Sequence, residues 1–250
     1  MDVDQELKPY KLRRQFLEAV LERPDLWPLV QKLDSGSGTY AEVKKVAEML
    51  GDEIASFFVD EFDQEVYDTL IKEAHSVIDM ASKTAQTNLN NAARIGLKPQ
   101  TRKFPKSAVA EAGKKLGVLD PEKLKAVAKD VIPTLLMQMV DENVKYNADF
   151  QAEAGLKPLI VRIWSGSRPS HDTKHTDWCE DLAGVYEYGT EPSNVYARHE
   201  GCRCTVDYYP NAAARGRITA LSKGEVDVYS ELWNTDNETL EKRLKKAGML

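Results

Sequence analysis

The sequence has 250 residues, of which 42% are hydrophobic, and a formal net charge of −6. This length and apolar content allow a substantial buried core, either in one large domain or in two. The acidic balance argues against a protein that coats nucleic acid, and no apolar run approaches the roughly 20 residues that a membrane span needs.

We expect no secretory signal, because the first residues, MDVDQELKPYKLRRQF, contain no apolar core of the kind a signal peptide has. The chain has three cysteines, an odd number. In a reducing compartment disulfides are rare, so these residues are expected to be thiols or metal ligands.

The first part of the chain is predicted to be helical. Residues 9–33 show apolar residues at helical spacing. Thr39 and Glu42 then form the pattern of a capping box, which predicts that a helix begins there, runs to Leu50 and stops at Gly51.

A long apolar stripe follows, from Asp52 to Ile95. Apolar residues recur at spacings of three and four, and the segment contains neither proline nor glycine. The pattern predicts one helix on the order of 60 Å long, with two helices and a break near 79–82 as the alternative. Helices of this length are common in proteins that brace an assembly, so we expect this helix to form the working surface.

A basic segment, residues 98–106, contains no acidic residue. Its Lys98, Arg102, Lys103 and Lys106 are candidates for contact with nucleic acid or with an acidic partner. A solvated loop between helices is the alternative interpretation.

Two further helices are predicted before residue 155. The first covers Ser107–Leu116. The second begins at Asp120 and Pro121 and continues to about Ala154, since Asp is a good N-cap and Pro fits the first helical position. Pro133 is expected to kink it.

The pattern changes after Gly155. Three short segments are β-branched or alternate like strands, 159–164, 185–188 and 205–209. A short helix is expected within 172–182, and another near the end of the chain. We therefore predict an α+β, predominantly α fold, with an elongated helical domain of long helices at 1–155 and a small C-terminal α+β domain at 156–250.

All three cysteines and two of the four histidines, His175 and His199, fall within thirty residues of this second part. The candidate metal ligands are His175, Cys179, His199, Cys202 and Cys204. A structural zinc ion takes four such ligands, usually as two close pairs that the fold brings together.

The spacing favours particular pairs of ligands. His175 and Cys179 would share one face of a helical turn. His199 and Cys202 suit the second pair, with Cys204 as a competitor. If residues 202–204 form a strand, only one of their two thiols faces the metal. The alternative is that Cys202 or Cys204 is a small buried apolar residue.

Enzyme templates mostly fail, so the sequence predicts a protein that is not an enzyme. His199 and Glu200 are adjacent and no Cys-x-x-Cys exists, unlike the zinc deaminases. Neither a His-Glu-x-x-His helix nor a phosphate-binding loop occurs. A nucleophilic pair of Cys179 with His199 or His175 stays open, because such residues meet in space.

Two segments form a combined pattern. The first is Asp172 followed by the sequence from Cys179 through Leu182 to Gly184, and the second is the motif His199-Glu-Gly-Cys-Arg-Cys204. The combined pattern resembles the phage minor head, or head-morphogenesis, family named after protein F of phage Mu, over roughly residues 158–209. The His-x-x-Cys-Arg-Cys motif is the specific part. Thr176 stands where many members have a cysteine, and Glu200 where they have a proline.

The resemblance implies a non-enzymatic minor capsid protein of a tailed phage, found in the virion head and, during assembly, in the host cytoplasm. Its implied partners are the portal protein and other capsid or scaffolding proteins, with phage DNA as a further candidate and no membrane. Its implied roles are procapsid assembly, DNA packaging or DNA release. The alternatives are a Cys/His-based nuclease or toxin-like enzyme, or a DNA-binding module that uses residues 98–106.

Arg203 lies between two cysteines in this motif. We expect it to pair with a carboxylate such as Asp181 or Asp172, which would tie the first turn to the strand. A solvent-exposed arginine on the outer face of the strand is the alternative.

Overall fold

The computed structural model describes residues 3–165 and 178–210. Most of this part of the chain is helical, and a small antiparallel sheet lies on its C-terminal side, so the predicted α+β, predominantly α class is confirmed. The described elements are α1 (Val3–Leu21), α2 (Leu26–Asp34), α3 (Tyr40–Ser56), α4 (Gln64–Ala92), α5 (Lys106–Leu116), α6 (Pro121–Glu153), β1 (Leu159–Ile163), α7 (Trp178–Asp181), β2 (Gly184–Glu187) and β3 (Thr205–Tyr209). The predicted helix near the chain end lies outside the described residues, as do Asp172, His175 and Thr176.

Helix α3 begins with the predicted capping box. Thr39 Oγ1 accepts a hydrogen bond from the Ala41 backbone nitrogen at 3.2 Å, and Glu42 Oε2 accepts one from the Thr39 nitrogen at 2.8 Å. The predicted stop at Gly51 is wrong, because the helix continues to Ser56.

Gly51 has a packing role instead. A Cβ atom at this position would lie 2.4 Å from Cα of Pro133 in α6, far inside contact distance. Glycine therefore allows the backbones of α3 and α6 to approach closely. Pro133 itself lies inside α6, which runs unbroken from Pro121 to Glu153.

The single helix predicted from Asp52 to Ile95 is wrong, and so is the alternative break near residue 80. The chain leaves the helix after Ser56 and begins α4 at Gln64. Asp63 caps α4 by accepting from the backbone nitrogens of Glu65 and Val66 at 3.0 and 3.1 Å. Phe58, fully buried, lies in this break and continues the apolar pattern without being helical. Helix α4 is consequently about 43 Å long.

Helices α5 and α6 follow the prediction, and Asp120 caps α6 by accepting from the Lys123 nitrogen at 3.0 Å. The connection before α5 lies along α6. Asn147 Oδ1 accepts from the Gln100 nitrogen at 2.9 Å, and Asn143 Oδ1 accepts from the Arg102 nitrogen at 2.8 Å. Two asparagines of α6 therefore hold the backbone of the basic segment.

The three predicted strands are confirmed. They form a sheet in the order β2-β1-β3, and both pairings are antiparallel, with Ile160 opposite Tyr186 on one side and Tyr208 on the other. Ile160, Val206 and Tyr208 belong to the same apolar core as the helices. The division into domains at residue 155 stays a prediction.

Two contacts join β3 to the start of α3. Thr39 Oγ1 donates to Oδ2 of the buried Asp207 at 2.8 Å, and the Tyr40 ring meets the Tyr208 ring edge-on at a centroid separation of 6.5 Å. The sheet is therefore attached to the helices by a hydrogen bond as well as by apolar packing. No helix in the described part of the chain is both long and apolar enough to cross a membrane.

The close crossing of α3 and α6 yields a first prediction. We expect Gly51→Ala to lower the free energy of unfolding by about 1–3 kcal/mol, because the added methyl group overlaps backbone atoms of Pro133. Urea denaturation measures this. Gly96→Ala is the matched control, since a Cβ at Gly96 meets nothing within 4 Å. Equal effects of the two substitutions would contradict the proposed role of Gly51.

Candidate functional site

Three thiols meet in the interior at the end of the sheet. Cys179 Sγ lies 3.7 Å from Cys202 Sγ and 3.2 Å from Cys204 Sγ. All three residues are at most 1% exposed, and Trp164 and Trp178 pack against them. We call these three residues the cysteine cluster, with Cys179 at its centre.

The local structure explains how both thiols of the Cys-Arg-Cys motif reach the cluster. Strand β3 begins only at Thr205, so residues 202–204 do not alternate as a strand would. The condition under which only one of the two thiols would face the site, a strand over residues 202–204, is therefore not met.

A tight turn precedes Cys202. The Cys202 nitrogen donates to the His199 carbonyl at 3.1 Å, and Gly201 has a φ of 71°. The third position of such a turn requires a positive φ, and glycine adopts that conformation most readily. The Gly201 nitrogen donates to Thr134 Oγ1 of α6 at 3.0 Å, which fixes the turn against that helix.

His199 lies beside the cluster. One of its ring nitrogens and the sulfurs of Cys179 and Cys202 all lie within 4.8 Å of one another, so these three residues could hold a metal ion. His199 Nδ1 donates to the Glu200 carbonyl at 2.8 Å, so Nε2 is the nitrogen that would bind a metal ion when the imidazole is neutral. The Trp178 ring meets the imidazole edge-on at 5.8 Å and limits its rotation.

A buried ion pair joins this segment to the helices. Arg198 Nε and Nη2 donate to the two carboxylate oxygens of Asp141 in α6 at 2.5 and 2.8 Å, and both side chains are 1% exposed. Arg198 Nη1 also donates to the Cys204 carbonyl at 2.8 Å. The guanidinium group therefore fixes the backbone of the Cys-Arg-Cys motif relative to α6.

A second buried arginine contacts the cluster directly. Arg162 of β1 is 1% exposed, and its Nη2 lies 3.1 Å from Cys179 Sγ while Nη1 donates to the Val195 carbonyl. Its guanidinium carbon lies 5.9 Å from the centre of the Trp178 ring. A buried cation needs a nearby electron-rich partner, and here that partner includes sulfur.

The cluster is electrostatically asymmetric. Hydrogen bonds from the thiols of Cys179 and Cys204 lower the pKa of Cys202 well below its ordinary value, with further help from His199 and Arg198. The same contact with Cys202 raises the pKa of Cys179. A separate hydrogen bond between the His199 imidazole and Cys202 raises the pKa of His199. Negative charge is therefore favoured on Cys202, with thiol donors around it.

Arg203 points away from the cysteines. It lies 3.5 Å from carboxylate oxygens of both Glu48 and Asp52 in α3, and its Nη2 donates to the Lys129 carbonyl of α6 at 3.2 Å. The expected pairing with Asp181 is therefore wrong, because the side chain extends toward α3 and α6 and finds its carboxylate partners there. The residue before Gly201, Glu200, forms a further ion pair with Lys115 of α5.

The predicted ligands therefore separate into two groups. Cys179, His199, Cys202 and Cys204 come together, whereas His175 lies outside the described residues. The four basic candidates, Lys98, Arg102, Lys103 and Lys106, are exposed on the connection between α4 and α5 and at the start of α5. Their contact with nucleic acid stays a prediction.

Sequence reasoning missed Arg162, Arg198 and Asp141. One signal was present, because Arg162 interrupts the otherwise apolar strand Leu-Ile-Val-Arg-Ile, and a charge there needs a partner. Asp141 likewise lies in the apolar middle of α6. Their partners are distant in the chain, so spacing alone could not identify them.

Comparison with protein families, with curated proteins and with solved structures gives no match to this chain.

The buried ion pair yields a second prediction. Asp141→Ala leaves the Arg198 charge buried without its carboxylate, so we expect the free energy of unfolding to fall by about 3–5 kcal/mol. Arg14→Ala serves as the control, because the Arg14–Glu18 pair is exposed and its loss should cost at most about 1 kcal/mol. Chemical denaturation of both variants tests this, and a small effect of Asp141→Ala would refute it.

Proposed function

We propose that this protein is a structural and assembly component of a tailed-phage head, a minor capsid protein that associates with the portal. The proposal starts from the resemblance of the segment between Cys179 and Cys204 to the phage minor head family. The structural observation that carries it is the burial of every cysteine of that segment.

Burial matters because a nuclease or toxin-like enzyme must bring its catalytic thiol into contact with a large substrate, which a sulfur of a residue at most 1% exposed cannot reach. Trp164 and Trp178 pack against the three cysteines, Arg162 of β1 contacts the Cys179 sulfur, and each sulfur contacts another. Such an arrangement suits a centre that holds chain segments together. It gives little support to a nuclease or toxin-like enzyme that would use Cys179 as a nucleophile.

The contacts of the motif with the helices support the same interpretation. Arg198 pairs with α6, Arg203 with α3, and Glu200 with α5, so the motif is attached to three helices within six residues. The residues between the cysteines therefore serve to join the sheet to the helical body. A rigid body of this kind suits a protein that must be placed in a larger particle.

Co-assembly tests this proposal. The protein is produced together with portal, coat and scaffolding proteins of a tailed phage, and head particles are isolated by sedimentation. We expect the chain to sediment with particles that contain portal and to be lost from particles that lack it. Arg198→Met, which removes the attachment to Asp141, should reduce incorporation, whereas Arg14→Ala should not. Absence of the wild-type chain from all particles would refute the proposal.

The enzyme alternative predicts a different result. Cleavage of DNA or RNA by the purified protein, abolished by His199→Ala while circular dichroism shows an intact fold, would favour a nuclease. We expect no cleavage that depends on His199.

We further propose that the site binds a structural zinc ion through Cys179, Cys202 and His199. Two thiolates on one tetrahedral zinc ion, with zinc–sulfur distances near 2.3 Å, lie about 3.8 Å apart. The sulfurs of Cys179 and Cys202 are 3.7 Å apart, which fits this expected distance. The Nδ1 contact of His199 with a backbone carbonyl is the usual support for a ligand that binds through Nε2.

Contacts of two arginines with the cysteine sulfurs also suit the proposed zinc site. Thiolate ligands carry negative charge, and Arg162 and Arg198 both place donor nitrogens near the sulfurs, at 3.1 Å from Cys179 and 3.8 Å from Cys202. These three residues leave the fourth position of a tetrahedral zinc ion to another donor.

Elemental analysis gives the third prediction. We expect one zinc per chain in protein purified without chelators, and loss of zinc in Cys202→Ser and His199→Ala. His75→Ala is the control, because His75 lies on α4 and packs against Phe104 instead. At a free zinc concentration a thousand times the Kd, binding would add about 4 kcal/mol to the free energy of unfolding. A chelator should therefore lower the melting temperature. Zinc-free wild-type protein that takes up none on addition would refute the site.

A further inference from the structure

We infer that Cys179 and Cys204 are a redox pair, which forms a disulfide on oxidation and in doing so removes Cys179 from the metal centre. The cysteine cluster then has two alternative states. In one, Cys179 acts with Cys202 and His199 as a metal ligand. In the other, it is bonded to Cys204.

The two sulfur separations in the cluster differ, and the difference separates the roles. The 3.7 Å between Cys179 and Cys202 matches two ligands of one zinc ion, for which about 3.8 Å is expected. The 3.2 Å between Cys179 and Cys204 is well below that distance. It lies between the distance expected for two sulfurs on one zinc ion and the sulfur–sulfur bond length of about 2.05 Å.

Membership of the metal-binding group agrees with this division. The group of donor atoms that lie within 4.8 Å of one another contains Cys179, His199 and Cys202. Cys204 is instead placed by its carbonyl, which accepts from Arg198, and by its sulfur contact with Cys179. Cys179 is therefore common to the metal group and the short pair, and one sulfur cannot serve both fully.

The surroundings limit which sulfurs can react with each other. Arg162 holds Cys179 through Nη2 at 3.1 Å, and Arg198 fixes the backbone on both sides of Arg203. The pair therefore needs little movement to bond. Joining Cys179 to Cys202 would instead require the larger of the two separations to close.

The oxidant we name is a peroxide. The thiolate of one cysteine attacks a peroxide oxygen and breaks the O–O bond, which gives a sulfenic acid and hydroxide, and the hydroxide takes a proton to become water. The second thiol then attacks the sulfenic sulfur, loses its proton and displaces a second water. Two electrons pass from the two sulfurs to the peroxide, and any bound zinc leaves as the aqueous ion.

The metal half of this inference rests on the proposed zinc site, and its biological setting rests on the proposed place in the virion. A head protein is made in a reducing cytoplasm and later meets an oxidising medium, so the cluster would change from a metal-held to a covalent connection. The disulfide itself depends on neither proposal.

The test treats the full-length protein with hydrogen peroxide and follows three quantities. They are the thiols per chain, the zinc released to a chromogenic chelator, and the disulfide-linked peptides seen by mass spectrometry. We expect the thiols to fall from three to one, a peptide pair that links Cys179 and Cys204, and zinc release in step with that link. Dithiothreitol should reverse the loss of thiols.

Matched variants separate the two sulfurs. Cys202→Ser removes a proposed metal ligand but leaves the short pair, so the link between Cys179 and Cys204 should still form. Cys204→Ser keeps all three members of the metal group, and we expect it to hold zinc through at least a tenfold higher peroxide dose than the wild type. Since either variant could fold poorly, the peptide map of wild-type protein is decisive by itself.

The outcomes are distinguishable. A Cys179–Cys204 link in protein that never binds zinc would support the redox pair and refute the metal site. Zinc release with Cys179 linked to Cys202, or with sulfinic acids and no link, would overturn the redox pair and leave the metal site standing. Three unchanged thiols after peroxide treatment of unliganded protein would also overturn it.

Discussion

The ion pair of Arg198 and Asp141 is the interaction on which the site depends. Both groups are removed from water, so the pair itself contributes little net stability, and its value lies in position. The same guanidinium group holds the Cys204 carbonyl, which sets where β3 begins. His199 comes directly after Arg198 in the chain and Cys202 comes soon after. The contact of Arg198 with Asp141 in α6 therefore helps to set their distance from Cys179.

Much of the fold could be predicted from the sequence, because local signals are strong here. The capping patterns at Thr39 and Asp120 mark helix starts correctly, and the β-branched segment at 159–163 is a strand. The failures have one physical source, which is tertiary packing. Phe58 is buried and continues the apolar pattern although it lies between two helices. Gly51 looks like a helix terminator in the sequence, but it is needed because the backbone of Pro133 leaves no room for a side chain.

The site was predictable in its ligand types and less so in its arrangement. Cysteines and histidines are candidate soft ligands by composition, and four of the five candidates lie close together. The arginines that support them could not be found from spacing, because Arg162 and Cys179 are 17 residues apart and Arg198 and Asp141 are 57 apart. Helical or strand periodicity carries no information over such separations.

The hydroxyl group of Thr39 has a consequence for the order of folding. It caps α3 and also binds Asp207, a residue 168 positions later. At a synthesis rate of roughly 5–20 residues per second, the ribosome needs on the order of 10–30 s to pass from one to the other. During that interval α3 can form with its cap in place, while Tyr40 still lacks its neighbour Tyr208. The contact between α3 and β3 is thus non-local and can form only after residue 207 has been synthesised.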